Sequence, residues 1–476
     1  MMTWPPSIGI VSLLLAIQFC AAQERSADNS ASPVAQTIAE AVPPETGPLR
    51  TRPDDGVDTE LLQDLLRLNS QRLRISGELR EQYESWSGRE FGLIPDADND
   101  YLLQRLYLDF HLRHNDWLQT QLELGSSFQF GSPLEPSPID EDPFYFQQWL
   151  ADVTLLESDR DKSSVVLGRQ TFSLGSGRLV ATRNGPNVRR SFDAVRFIHD
   201  SPSWTTQVLF ASDVNVGDRA FDNVPTDDRL LWGSYSTLKP GPDSMLPGKG
   251  GLDLYYLGYR NESARFDSVS GDERRHSLGL RLFGLFGSQN RWDYNIEPVL
   301  QFGKLEDQDI RAWTIASVLG YSFGELSFTP RAGIEFDVIS GDRSANDQVL
   351  ETFNALFPNN SYFSEAAIFA PANLYDLNLN QDAQLTERVK VVLLWDFLSR
   401  FSTQDAIYVP PGIPSIAGNA SSKRFIGDTI SVALEWKPVP AIETTAAYVH
   451  FSPGDAVEEP GGQHSDFVLL WATMYF

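Results

Sequence analysis

Residues 466–476 read DFVLLWATMYF and are the last of the sequence. Asp466, Val468, Leu470, Ala472, Met474 and Phe476 fall on one face of an extended segment, because side chains alternate with period two along a strand. An alternating last strand that stops on an aromatic residue is the pattern read by the outer-membrane assembly machinery. The segment therefore predicts a transmembrane β-strand, with that machinery as a partner through Phe476.

The same period recurs upstream. Leu73, Ile75, Gly77 and Leu79 alternate with Arg74, Ser76, Glu78 and Arg80. Leu106, Leu108, Phe110 and Leu112 alternate with Arg105, Tyr107, Asp109 and His111. Trp292 to Phe302, Phe328 to Val338 and Val389 to Phe397 repeat the pattern. The runs are about 10–13 residues long, whereas soluble strands run about five or six. A tilted strand needs about 9–11 residues to cross a bilayer.

Loop length sorts by parity. Short links at His114–Asp116, Glu157–Lys162, Asp200–Ser203, Gly287–Asn290, Gly324–Glu325 and Pro438–Ala441 alternate with long ones. The long ones are Ser87–Asp100, Phe128–Pro143, Val214–Asp228, Asn261–Glu273, Ile339–Ala372, Ser399–Arg424 and Ser452–Gln463. Short periplasmic turns and long outer loops are the habit of outer-membrane barrels. The expected fold is all-β, a transmembrane antiparallel β-barrel of about 18 strands with both termini periplasmic. Lys239–Gly250 breaks the rule, being long where a turn is expected, and the strands near 230, 375 and 425 are the faintest.

Composition agrees. Mean hydropathy is only −0.26, as expected when alternate residues alone face lipid, and no run is long enough for a spanning helix. Net charge is −26; with no basic tail and no zinc spacing, nucleic acid is excluded as a partner. Residues 1–22 read as a signal peptide, with an apolar Ile8–Phe19 and small residues before a cut at Gln23. Residues 23–70 read as a largely disordered periplasmic leader, with one short helix or a lead-in strand over Asp58–Asn69, and residues 71–476 as the barrel. Cys20 is the only cysteine and lies in the signal peptide, so the mature chain has neither disulfides nor thiolate metal sites.

One stretch reverses the charge. Residues 169–196, RQTFSLGSGRLVATRNGPNVRRSFDAVR, hold Arg169, Arg178, Arg183, Arg189, Arg190 and Arg196 against the single acid Asp193. A glycine-rich loop of this kind can fold inward and narrow a pore, and the guanidinium fork suits carboxylate ligands. The alternative is a latch, with the arginines tied to Asp and Glu on neighbouring strands. Strand parity also puts Asp193 and Arg196 on opposite faces of a regular strand. Charges four apart on one face, Arg74 with Glu78, Arg105 with Asp109 and Arg331 with Glu335, point to the interior and are further pathway candidates.

The motifs Gly168-Arg169-Gln170, Arg178-Leu179, Arg190-Ser191-Phe192-Asp193 and Val195-Arg196 resemble the signature of the alginate export family of outer-membrane porins, and the barrel pattern extends the resemblance over roughly residues 70–476. The resemblance implies a monomeric 18-stranded barrel in outer-membrane lipid, with an electropositive constriction that passes an acidic glycan. It assigns that constriction to Arg169, Arg178, Arg190 and Asp193, and by extension to Arg74 and Arg331. A general diffusion porin and a barrel enzyme are the rivals. The enzyme would have to use His450 or His464, and no nucleophile motif accompanies either. Asp96, Asp98 and Asp100 lack the glycine and glutamate of a calcium loop. No cofactor, metal or catalytic residue is expected.

Overall fold

The computed structural model describes residues 72–239, 249–326, 328–344 and 347–476. The signal peptide, the leader with its Asp58–Asn69 segment, and most of the long link after Lys239 lie outside the described residues.

The first strands are β1 (Leu73–Ser87), β2 (Asn99–Arg113), β3 (Leu118–Phe130), β4 (Asp142–Glu157), β5 (Lys162–Gln170) and β6 (Phe192–Asp200). Then come β7 (Trp204–Asn215), β8 (Val224–Leu238), β9 (Lys249–Arg265), β10 (Ser270–Phe286), β11 (Trp292–Leu305), β12 (Gln308–Ser322) and β13 (Arg331–Ile339). The wall is completed by β15 (Leu374–Thr386), β16 (Val389–Arg400), β19 (Phe425–Val439), β20 (Ile442–Pro453) and β21 (Ser465–Tyr475). The pieces β14 (Val349–Leu350), β17 (Ile407–Val409) and β18 (Ile413–Ile416) belong to the outer loops. Each wall strand pairs antiparallel with the next, and β21 pairs back onto β1, closing an 18-stranded barrel. The three faint strands are real, as β8, β15 and β19.

Closure explains the terminal phenylalanine. Phe476 exchanges backbone hydrogen bonds with Gly77, N to O at 2.7 and 3.0 Å. Its ring lies where a side chain at residue 77 would be, since a Cβ there would sit 2.6 Å from the ring. Alternation holds around the wall. Leu300, Phe302, Ile334, Phe336, Leu393, Trp395, Ile430 and Leu470 are exposed large apolar residues on the outer face. Their neighbours Glu297, Gln301, Asp337 and Asp396 are buried towards the lumen. No helix among the described residues is long and apolar enough to cross a membrane.

Two boundaries differ from the periodicity. Asn261–Glu273 is no long loop: β9 and β10 stay paired to Arg265↔Ser270, leaving residues 266–269 as the turn. β13 begins at Arg331 rather than Phe328, because Thr329 takes φ 37° and Pro330 has no N–H to donate.

The apolar core lies inside the barrel. Phe172, Leu174, Leu179, Val180, Phe353, Phe357, Phe363 and Phe369 belong to loops, and they pack with lumenal residues such as Phe192, Tyr259 and Leu305. The lumen is therefore crossed by folded loops. β5, β6 and β13, at 9 residues each, are the shortest wall strands, because at their outer ends the chain leaves the wall and turns inward.

Candidate substrate pathway through the barrel

Residues 171–191 cross the lumen. Leu174 and Val180 bridge to each other, and the turn between them uses Gly175 (φ 56°) and Gly177 (φ 76°). Glycine is required at 175, because a Cβ would lie 2.0 Å from the Tyr235 hydroxyl oxygen. This turn delivers Arg178 to the far wall. Its guanidinium lies 2.9 Å from Asp337, 3.3 Å from Glu297 and 3.5 Å from Glu335. The Tyr362 ring covers it at 4.2 Å, and the Tyr362 hydroxyl donates to both Glu335 and Asp337. Tyr362 comes from the second inward loop, residues 340–373. The two loops are joined by backbone hydrogen bonds: Phe357 N to Leu179 O, Ala181 N to Phe357 O, and Asn359 N to Gly177 O.

The returning arm is held by the opposite wall. Arg80, fully buried, donates to the carbonyls of Asn184, Gly185 and Pro186 at 2.6–3.1 Å. Arg105 donates to Asn184 O and Pro186 O and pairs with Glu78 at 2.7 Å. Asn187 Nδ2 donates to the carbonyls of Gln104, Phe128 and Asp140. Arg189 pairs with Glu78 at 2.5 Å and Glu123 at 3.8 Å. Arg80 of β1 and Arg105 of β2 thus use cations of the wall to hold carbonyls of the loop, the usual remedy for buried backbone oxygens, while Asn187 and Arg189 reach back from the loop to acceptors on and beside the wall.

Between the outer loops and this crossing lies a cavity of about 960 Å³. Arg183, Arg190, Arg229 and Asp213 line it together with Tyr259 and Asp140. Asp213 is the shared acid, 3.0 Å from Arg229 and 4.0 Å from Arg190. Among the described residues no carboxylate lies within ion-pair distance of Arg183, and its Nε is buried without a hydrogen-bond partner. Burial, then the like charge of Arg190, press the affinity of Arg183 for its proton downward. The carboxylate of Asp213 offsets this only in part. Asp140, on the outer loop after β3, is pushed up to about 7 by burial and by Glu84.

The expected pathway residues divide into four groups. Arg190 lines the cavity. Arg178, Glu78, Arg105, Glu335 and Arg331 face the lumen but are spoken for, Arg331 by Asp293 at 2.6 Å and Asp382 at 3.9 Å. Their ion partners are across strands, not four residues along. Asp109 takes a hydrogen bond from Gln121, and Arg74 stands opposite His111 on the β1–β2 ladder.

Arg169 and Asp193 depart from the constriction altogether. Each is a cross-strand partner of the other, and Arg169 also stands opposite the exposed Trp149, so both lie on the face away from the lumen. They form a two-toothed ion pair at 2.8 and 3.1 Å, and Arg169 also reaches Asn223 O of the β7–β8 loop. Parity decides this, as Arg196 on the opposite face points inward to Gln170 and Gln207. Sequence reasoning passed over Arg80, Arg183 and Arg189 as pathway residues. Arg80 shares parity with Arg74 and Glu78, a signal that was available; nothing in the pattern separates Arg183 from its neighbours.

Elsewhere the polar groups are structural. Asp98 accepts from Gly88 N and braces its loop. His450 Nδ1 bonds Asp466 at 2.8 Å on the outer rim, and among the described residues no serine hydroxyl bonds His450 or His464. No three His, Cys, Asp or Glu side chains among the described residues converge to ligate a metal directly.

The family model described as "Alginate export" matches residues 71–470. No curated protein sequence matches the chain. Solved structures share the fold. Pseudomonas aeruginosa OccK11 (OpdR) aligns with TM-score 0.55 at 11% identity, covering 85% of this chain and 96% of that one. A BenF-like porin from Pseudomonas fluorescens Pf-5 aligns with TM-score 0.57 at 8% identity, covering 85% and 99%. Pseudomonas aeruginosa OccK2 (OpdF), solved in complex with glucuronate, aligns with TM-score 0.53 at 8% identity, covering 85% and 96%.

Proposed function

This chain belongs to the alginate export family of outer-membrane channels, and from that premise we propose that it passes an acidic saccharide whose carboxylates are met by Arg183 and Arg190. The observation that carries this reading is Arg183: a half-buried guanidinium with no acid within ion-pair distance and with its Nε lacking a hydrogen-bond partner, lining a cavity of about 960 Å³. A buried charge without a partner is costly, and an incoming anion supplies the partner. Arg190 adds a second guanidinium that its one acid holds only at 4.0 Å, and a planar fork takes both oxygens of a uronate. Tyr259 in the cavity wall adds an aromatic surface beside the cations. A fold relative bound to glucuronate is in keeping with a uronate ligand.

The site is weak by design, because conduction requires release as well as capture. The volume is at the upper end of the roughly 300–1,000 Å³ typical of small-molecule sites, which suits a short acidic oligosaccharide. A long polymer would need residues 171–191 to leave the lumen. No residue is assigned a catalytic role, the barrel acts as a monomer, and Phe476 serves as its address to the assembly machinery.

The test is the reversal potential of the refolded barrel in a planar bilayer under a salt gradient, with oligogalacturonate added as probe. Anion preference and block by the probe are expected, both weakened in Arg183→Ala/Arg190→Ala. Cation preference with no block in the unaltered protein would leave a general diffusion porin and reject the acidic-saccharide reading.

A further inference from the structure

The outward face of the barrel carries a charge reversal of its own. β9–β10 and β11–β12 close in tight turns, at the end of the barrel where the other links are long. On these strands Tyr259, Arg275 and Gln301 are buried towards the lumen, so the alternate residues point out. Register sorts those residues into rows. Tyr256, Leu278 and Leu300 are cross-strand partners and form an apolar row. Two residues nearer the turns, His276 and Phe302 are partners whose rings stack at 5.3 Å, and the Tyr256 hydroxyl bonds His276 Nδ1 at 2.8 Å. Two residues nearer still, Arg260 stands opposite Arg274, and Arg274 stands opposite Lys304. Arg311 on β12 stands beside them, opposite Phe302.

Like charges directly opposed on adjacent strands repel. Three such cations in register, in a chain of net charge −26, call for anions. The chain supplies some of them. Asp272 lies 3.4 Å from Arg260 and 3.2 Å from Arg274, and Glu262 also pairs with Arg260. Asp309 lies 3.4 Å from Lys304 and 3.8 Å from Arg311. Four cations thus share three acids. The side chains of Arg274, Lys304 and Arg311 are 65%, 66% and 69% exposed, and ion pairs so open to solvent exchange readily for another anion. Other parts of the same outward rim are of different character, with Phe130, Phe144 and Phe146 on one flank and Asp428 and Asp466 on another.

We propose that Arg260, Arg274, Lys304 and Arg311 bind the phosphate groups of an outer-leaflet glycolipid of the lipid A kind. The order along the strands, apolar, then aromatic, then cationic, matches a lipid whose acyl chains lie below a phosphorylated sugar. Apolar contact and charge attraction then act together. A guanidinium fork takes two phosphate oxygens, and the lysine adds a point charge. Glu262 and Asp272 lie nearer the turn, on the water side, so a phosphate held in the leaflet meets the cations first. Binding displaces Asp309 from Lys304 and Arg311. This patch lies outside the pore, so it stands independently of the acidic-saccharide reading and goes beyond it.

The experiment is a titration of the detergent-folded full barrel with bisphosphorylated lipid A, read by native mass spectrometry, with folding checked by heat-modifiable migration. A retained lipid is expected at low salt, with binding that weakens as salt rises. The same glycolipid stripped of its phosphates should bind roughly tenfold more weakly or worse. Arg274→Gln/Lys304→Gln should lose a similar factor for the phosphorylated lipid, while Arg274→Lys, which keeps the charge, retains most of the binding. Equal affinity for the two lipids would overturn the proposal, as would undiminished binding by the folded double variant. Release of the lipid by an equal concentration of inorganic phosphate would also overturn it, because the site would then belong to a free anion.

Discussion

Arg178 and Arg183 are five residues apart on one inward loop, yet they have opposite fates. Arg178 lies against Glu297, Glu335 and Asp337 under the Tyr362 ring. Arg183 lines the cavity with no carboxylate beside it. Both are half-buried, and both belong to the same cluster of arginines. The difference shows that the charge a pore presents is the charge left over after the fold has used what it needs. One arginine is a rivet between a loop and a wall, and the other remains available to a passing anion.

The comparison breaks most visibly at the rivet. Arg178→Ala leaves two buried acids and the half-buried Glu335 without their cation, a loss of the order of 3–5 kcal/mol for a buried pair. Residues 171–191 should then loosen, single-channel conductance should rise, and added protease should nick the loop. Unchanged conductance with an intact loop would mean that Arg178 is no anchor.

A sharper contrast comes from the neighbouring pair. Arg189→Ala removes one of the cations on Glu78 and the cation 3.8 Å from Glu123, and it should cost about 1–3 kcal/mol in chemical denaturation. Arg183→Ala removes an uncompensated charge. It should leave stability unchanged or slightly raised while lowering anion preference in bilayer recordings. Arg169→Ala, on the outer face, should leave selectivity untouched and cost about 1–3 kcal/mol, since the buried guanidinium takes with it two bonds to Asp193 and one to Asn223 O. A selectivity change in Arg169→Ala would return that residue to the pathway.

The smallest effect concerns pH. Burial and Glu84 push Asp140 up to about 7, so it loses its negative charge as pH falls through that value. The cavity then becomes more positive, and anion preference should rise modestly from pH 8 to pH 6. Asp140→Asn should flatten the change; an identical slope in the variant would point to another group.

The barrel itself was legible because its cause is local and repeated. A strand that crosses lipid must show apolar side chains at every second position for about 9–11 residues, and Leu106 to Leu112 or Trp292 to Phe302 show this without reference to any other segment. Loop parity was legible for the same reason, except at Asn261–Glu273, where strand pairing continues above the wall through Arg265↔Ser270. The inward loop was also legible, from its glycines and its reversed charge.

Which arginine does what was not legible. Glu297, Glu335 and Asp337 follow Arg178 by more than a hundred residues, and only closure of the sheet brings β11 and β13 across the lumen to meet it. Asp376 looked like any polar residue on an alternating strand until its register with Asp337 showed two acids side by side. By itself the sequence determined the strands, their faces and the loop that turns inward, because lipid and the period-two backbone act on each segment separately. The tertiary structure alone decided which charges are neutralised and which stay open to a ligand, because an ion pair acts over a few ångströms and the chain's own order says nothing about which distant strands will come that close.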